Sequence, residues 1–318
     1  VNPLAMDSSA NRQGFYDNRL FGIFYTLNHA AYVSLILLLI GFFYILRTKK
    51  IWVRISLIIA DFILLCHIIL SGSRSALVSL IAASLFISWL LLRKKINIKG
   101  FFNTLLPILL AFVIAATSLL GTVVVKKGLA KIPALCEPFI KTEQEVPSDE
   151  NVLHRDNLEE DQSNGRFDIW SDYLKLYKQV GIVGLSPGNY MPYIYENHQD
   201  MYIVDYIKEH YPDKYDSGFV YHVHNGYLMV YVSAGILGII LLAVFMVLCM
   251  GKVFVKIKEE RYLSYLFIGA FVMVVVGAIS AVFDEGLFFQ NNPHTTIFWL
   301  SLGILMKEAS SAKKKGIS

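Results

Sequence analysis

Charge is scarce in this chain. Only 17% of its 318 residues are Asp, Glu, Lys or Arg, against about 25% in a soluble domain. The hydrophobic share is 55%, the aromatic share 14%, and mean hydropathy is +0.50. That balance excludes an ordinary soluble domain. The apolar residues come in blocks close to the length needed to cross a bilayer, about 20 residues, so the chain reads as a polytopic membrane protein. Cysteine is also scarce: Cys66 and Cys249 fall inside apolar blocks and Cys136 outside them. With two of the three in apolar blocks a disulfide framework is not expected, and no CxxC pair points to zinc or redox work. The chain begins at Val1 with no initiator Met and no signal-peptide pattern, and an N-terminally incomplete sequence is expected. Nucleic acid is not among the expected partners.

The apolar blocks give about seven spans, at roughly 28–46, 51–70, 75–92, 101–124, 226–250, 262–282 and 292–306. Each must be helical, because hydrocarbon offers backbone groups no partner. Pro107 inside the fourth is a candidate kink. Lys and Arg set the orientation. They cluster after the first span (Arg47, Lys49, Lys50, Arg54), the third (Arg93, Lys94, Lys95, Lys99) and the fifth (Lys252, Lys256, Lys258, Arg261), and in the tail (Lys307, Lys313, Lys314, Lys315). Seven spans put all four clusters on one side, which is then cytoplasmic. The predicted fold is an all-α integral membrane protein. Residues 1–124 hold an N-terminal extracytoplasmic segment and four transmembrane helices, 125–225 an extracytoplasmic loop region, and 226–318 three transmembrane helices and a cytoplasmic tail.

Within the loop region, the acidic run 143–165 is poor in apolar residues and is expected to be a mobile loop. Phe167, Trp170, Leu174 and Tyr177 then recur at helical spacing, with Asn164 as a cap and Gly181 past the end. They predict an amphipathic helix lying along the membrane interface or covering the bundle. "GLSPGNY", ending at Tyr190, reads as a turn. Tyrosines crowd between Tyr190 and Tyr231. They fit an interfacial belt, since one end of the ring is apolar and the other wet, and they also fit sugar binding.

Three short motifs share the external face. Arg74 sits in the hairpin "SGSRS", where an arginine either snorkels or binds an anion. Arg166 opens the amphipathic helix, where it either pairs with nearby carboxylates or joins the helix N-terminus in an anion site. His224-Asn225 stands at the mouth of the fifth span. Guanidinium forks match phosphate oxygens, and a histidine moves protons near neutral pH. Diphosphate, sugar and lipid together describe a polyprenyl-diphosphate glycan.

The order of "R-x-F-G-I-F" and "N-H" (Arg19 to His29), "SGSRSAL", "NGR-F-D-I-W" followed by "S-P-G-N-Y", "HN-G-Y-L" followed by "AGILG", and a closing "FWLSLGI" resembles the O-antigen ligase and O-antigen polymerase superfamily. The resemblance spans nearly the whole chain. Where the family usually has "NPN" this chain has "YTLNH", and Asn28 is left without a role. The resemblance implies metal-independent glycosyl transfer, with no cofactor, from an undecaprenyl-diphosphate-linked oligosaccharide to a glycan acceptor at the outer face of the cytoplasmic membrane. It implies Arg74 and Arg166 as donor diphosphate-binding residues and His224 as the catalytic residue. Supporting roles are open to Asn225, Asp284 and Glu285, although a solvated turn is the favoured reading of the two acids. Other polysaccharide-assembly proteins are possible partners.

The acceptor stays open between a second lipid-linked repeat, for a capsule, exopolysaccharide or O-antigen polymerase, and lipid A-core or protein, for a ligase. Usage rich in Ile, Lys, Asn and Tyr associates the chain with a polymerase of a Gram-positive bacterium. A transporter or flippase of lipid-linked glycans is the alternative from another class, and an export scaffold a third. Asp61 and His67, inside the second span, are the relay a transporter would need. Against it, no unwound glycine pair is read within a span. His222 and His224 form an HxH pair, but zinc would need a third ligand.

Overall fold

The computed structural model describes residues 14–16, 19–22, 26–95, 102–129, 165–210, 212–218, 223–260, 262–289 and 292–311. The acidic run up to Asn164 lies outside the described residues. So do Cys136, His222, the Asn164 cap and several of the basic residues counted for orientation.

Long helices occupy all seven expected span positions: α1 Leu27–Arg47, α2 Ile51–Leu70, α3 Arg74–Lys95, α4 Phe102–Leu129, α10 Gly226–Glu259, α11 Tyr265–Phe283 and α12 Pro293–Ser310. They start within three residues of the expected bounds, though α4 and α10 run five and nine residues past their expected ends. Five are long and apolar enough to cross a membrane, namely α1, α2, α3, α10 and α11. Helix α4 contributes a shorter apolar segment, Leu105–Thr117. Between α4 and α10 lie α5 Arg166–Lys175, α6 Tyr177–Val180, α7 Tyr190–Asn197, α8 Tyr202–His210 and α9 Pro212–Asp216. One departure from an all-α chain is a small antiparallel hairpin, β1 Gly14–Tyr16 and β2 Arg19–Gly22, with Tyr16 opposite Arg19.

The chain divides into two compact units. The first takes residues 1–158, 259–276 and 297–305. Its core is built from Ala30, Ala31, Tyr32 and Leu35 of α1, Ile68 and Ile69 of α2, Ala83 and Leu90 of α3, and Phe267 and Phe271 of α11. Phe86 and Phe271 meet edge to face with ring centres 5.5 Å apart. Asp61 and His67 both face α1. The His67 ring bonds the Ser34 hydroxyl at 2.9 Å, and the Asp61 carboxyl fills the space a side chain at Gly41 would need. Both residues therefore serve contact between two helices.

The second unit takes residues 159–258, 277–296 and 306–318. Helices α5 to α9 and the first turns of α10 enclose a core that includes Ile169, Tyr173, Leu176, Tyr190, Met191, Ile203, Val204, Val223 and Val232. Only part of the expected aromatic face turns inward. Phe167, Leu174 and Tyr177 are exposed, while Ile169, Tyr173 and Leu176 are buried. Tyr190 belongs neither to a belt nor to a sugar surface, since it is buried with its ring 5.9 Å from that of Tyr173. Burial, and then the nearby Glu285 carboxylate, pushes the Tyr190 phenol well above its ordinary range. Burial does the same for Tyr173.

Helix α10 is broken at Gly235, whose backbone adopts φ 67°, ψ −164°. This corrects the reading of an unbroken fifth span. The freed backbone groups are taken up by the loop after α6. Ile236 N–H donates to the Gly181 carbonyl at 3.2 Å, and Leu237 N–H to Ile182 at 3.1 Å. In return, Leu185 N–H donates to Val232 at 2.8 Å and Ser186 N–H to Ser233 at 3.0 Å. The two backbones approach so closely that a Cβ at Gly235 would collide with the Ile182 carbonyl, and one at Gly184 with Ser233. Both glycines also need positive φ.

Two outcomes follow. Gly235→Val combines a left-handed backbone with a main-chain collision, each worth roughly 1–3 kcal/mol. It should lower the thermal midpoint of the detergent-solubilised protein, whereas Gly303→Ala, which meets nothing within 4 Å, should leave it nearly unchanged. Unfolding as a function of pH tests the tyrosines. The folded state holds its phenol protons after the unfolded chain has released them, so stability should fall as pH rises above about 10. Tyr190→Phe should flatten that alkaline slope, with tyrosinate absorbance as the readout.

Candidate active site

The hairpin that carries Arg74 is built from buried hydroxyls. Ser71, Ser73 and Ser75 are buried while Arg74 is exposed. Gly72 makes the tight turn at φ 62°. The Ser71 hydroxyl donates to the Ile68 carbonyl at 2.7 Å and accepts from Ser73 N–H at 3.2 Å. Arg19 of β2 and Asn28 at the start of α1 brace the turn. Arg19 Nε donates to the Ser71 carbonyl at 2.9 Å, and the Ser73 hydroxyl donates to Asn28 Oδ1 at 2.9 Å. Asn28 thus gains a role, holding the turn that presents Arg74. Sequence reading quoted both bracing residues but assigned neither a function.

In the second unit, Arg166 is the first residue of α5, preceded by Gly165 at φ 70°. The Tyr202 ring occupies the space beside Gly165 where a Cβ would stand. One turn along α5, Trp170 Nε1 donates to the Val223 carbonyl at 3.1 Å. The other side of that residue is held as well: Val223 N–H donates to Glu285 Oε2 at 2.8 Å. Glu285 is 4% exposed, so the solvated-turn reading fails for it. A buried carboxylate must be hydrogen-bonded to be tolerated, and this one spends an oxygen on the residue before His224.

His224 itself is a non-glycine residue in left-handed backbone, φ 54°, a conformation sparsely used outside glycine, though less so by His than by most residues. Asn225 follows as the cap of α10, its Oδ1 accepting from Leu228 N–H at 3.0 Å. Asp284 caps its own turn, accepting from Gly286 N–H at 2.9 Å. The turn is closed by Asn292, which donates to the Gly286 carbonyl at 3.2 Å and accepts from Thr295 N–H at 2.9 Å at the start of α12.

The second unit therefore brings together the α5 start with Arg166, the His224-Asn225 turn and Glu285. Arg74 belongs to the first unit. A cavity of ≈ 280 Å³ in that first unit, lined by Phe43, Tyr44, Arg47, Tyr265 and Met273 among others, includes none of the candidate residues. Trp170, whose indole bonds the Val223 carbonyl, is the residue of this cluster that sequence reading did not connect to His224; Glu285 was already a candidate there, though its burial was not foreseen.

This arrangement fixes the backbone of His224 at the start of α10, on the same packed unit as Arg166. No curated protein and no solved structure matches the chain. A family model described as O-antigen ligase matches residues 59–243, more than half of the chain, and the match covers Arg74, Arg166 and His224. The chain belongs to the O-antigen ligase family.

Proposed function

We propose that the chain is a glycosyltransferase of the extracytoplasmic face of the cytoplasmic membrane. It joins an undecaprenyl-diphosphate-linked oligosaccharide to an acceptor, with a second lipid-linked repeat as the acceptor of choice, and so polymerises repeat units. The observation that carries this reading is the family match over the segment holding all three candidate residues. The seating of His224 between a capped helix and a carboxylate-held residue supports it.

In the proposed step, an acceptor hydroxyl oxygen attacks the anomeric carbon of the donor sugar. The bond from that carbon to the diphosphate oxygen breaks, and undecaprenyl diphosphate leaves with the electron pair. His224 takes the proton from the acceptor hydroxyl. Arg74 and Arg166 hold the diphosphate and offset the charge that grows on it, the two guanidinium forks remaining charged throughout. Asn225 fixes the helix end beside the imidazole. Glu285 and Trp170 act through Val223 and are positioning residues.

Cells carrying His224→Ala should lose polymer, with a fall in turnover of roughly 10²-fold or more, while lipid-linked repeats stay displayed at the outer surface. Repeats trapped on the cytoplasmic leaflet would overturn the enzyme reading in favour of transport. A wild-type product attached to lipid A-core, with no lengthening of lipid-linked glycan, would make the chain a ligase. Purified protein that elongates lipid-linked repeats unaided separates an enzyme from a scaffold.

A further inference from the structure

The loop that closes the break in α10 carries its own apolar tip. Ile182 is 69% exposed and Val183 72% exposed, in a loop whose backbone is bonded at four points to α10. Such a tip on a water-facing loop would be costly, since two large side chains lie open without cover. Its height on α10 decides what surrounds it.

Two observations on α10 set that height. First, burial changes sharply at the break. Leu228, Met229, Val230 and Val232 are buried, whereas from Ile236 onward Leu237, Ile240, Leu241, Val244 and Phe245 are exposed apolar side chains. A spanning helix whose apolar face becomes exposed at one level has left the protein core and entered lipid there. Second, Lys252 is the first charged residue along α10 after Gly226. It marks one interface, and a hydrocarbon core of about 30 Å at 1.5 Å per residue places the other about 20 residues earlier, near Val232. The docked loop meets α10 between Val232 and Leu237, at that second boundary. Ile182 and Val183 therefore stand level with Ile236 and Leu237 and extend the same apolar band.

We infer that residues 181–184 form a membrane-seated loop. Its Ile182 and Val183 side chains enter the acyl-chain region of the leaflet opposite Lys252 and fix the height of the α5–α9 core over the bilayer. Backbone at this depth is tolerated only when its polar groups are satisfied. Leu185 and Ser186 N–H and the Gly181 and Ile182 carbonyls all bond α10. The inference rests on α10 crossing the membrane and not on any catalytic role, so its test reads depth rather than activity.

Val183→Cys and Ile182→Cys, each spin-labelled in the full chain and reconstituted in phospholipid vesicles, report the surroundings directly once the parent's signal is subtracted. Glu196→Cys, at an exposed position, is the aqueous reference. Oxygen, which concentrates in hydrocarbon, should relax labels at 182 and 183 severalfold more than a water-soluble nickel chelate does, the reverse of the order at 196. In the unsubstituted chain, a photoactivatable acyl-chain probe should modify the tryptic peptide that follows Lys178, at Ile182 or Val183. A label relaxed mainly by the nickel chelate would overturn the inference. So would a label shielded from both reagents, which would mean that protein covers the tip, or a peptide left unmodified by the lipid probe.

Discussion

A single peptide neighbour holds the candidate site: Val223, gripped on its N–H by the buried Glu285 carboxylate and on its carbonyl by Trp170. The two grips come from α5 and from the turn between α11 and α12, far apart in sequence. They fix the residue on which His224 hangs. A hydrogen bond to a charged group contributes about 1.5–3 kcal/mol, and left-handed backbone costs a non-glycine residue roughly 1–2 kcal/mol. The clamp is therefore strong enough to hold His224 at φ 54°. Asn225 completes the arrangement from the other side by capping α10.

The membrane imposes the second constraint. A break inside a spanning helix frees carbonyls and N–H groups that hydrocarbon cannot satisfy. At Gly235 those groups are satisfied by chain from the loop after α6. The same bonds tie the α5–α9 core to α10, so the helix that presents His224 and the core that carries Arg166 are one packed body. Glycine is required on both partners, since a Cβ at Gly184 or Gly235 would meet backbone.

Helices at the seven apolar blocks, five of them long and apolar enough to cross a membrane, were legible in the sequence because a long apolar run in hydrocarbon must satisfy its backbone hydrogen bonds internally. Boundaries of α1, α2 and α10 lie where the apolar blocks begin. The turn at "GLSPGNY" was legible from its glycines and proline. The Gly235 break was not, because "AGILG" within an apolar run looks the same whether the helix continues or opens. Nor was the burial of Glu285: an acid beside a glycine in "FDEGL" reads as a solvated turn unless its partner, a main-chain N–H remote in sequence, is known. Trp170 had the spacing of an amphipathic helix's aromatic face, and only the fold shows its indole N–H turned to Val223. Tyr190 likewise looked interfacial and proved to be core.

The claim that Trp170 and Glu285 act as one clamp on Val223 is tested most directly by a double-mutant cycle. Polymer formation and thermal midpoint would be measured for Trp170→Phe, Glu285→Gln and the pair. If both act through the same residue, the pair should lose little more than the worse single variant, with a coupling within the 0.5–3 kcal/mol range of contacting groups. Losses that simply add would mean that the two residues act independently, and would contradict the clamp.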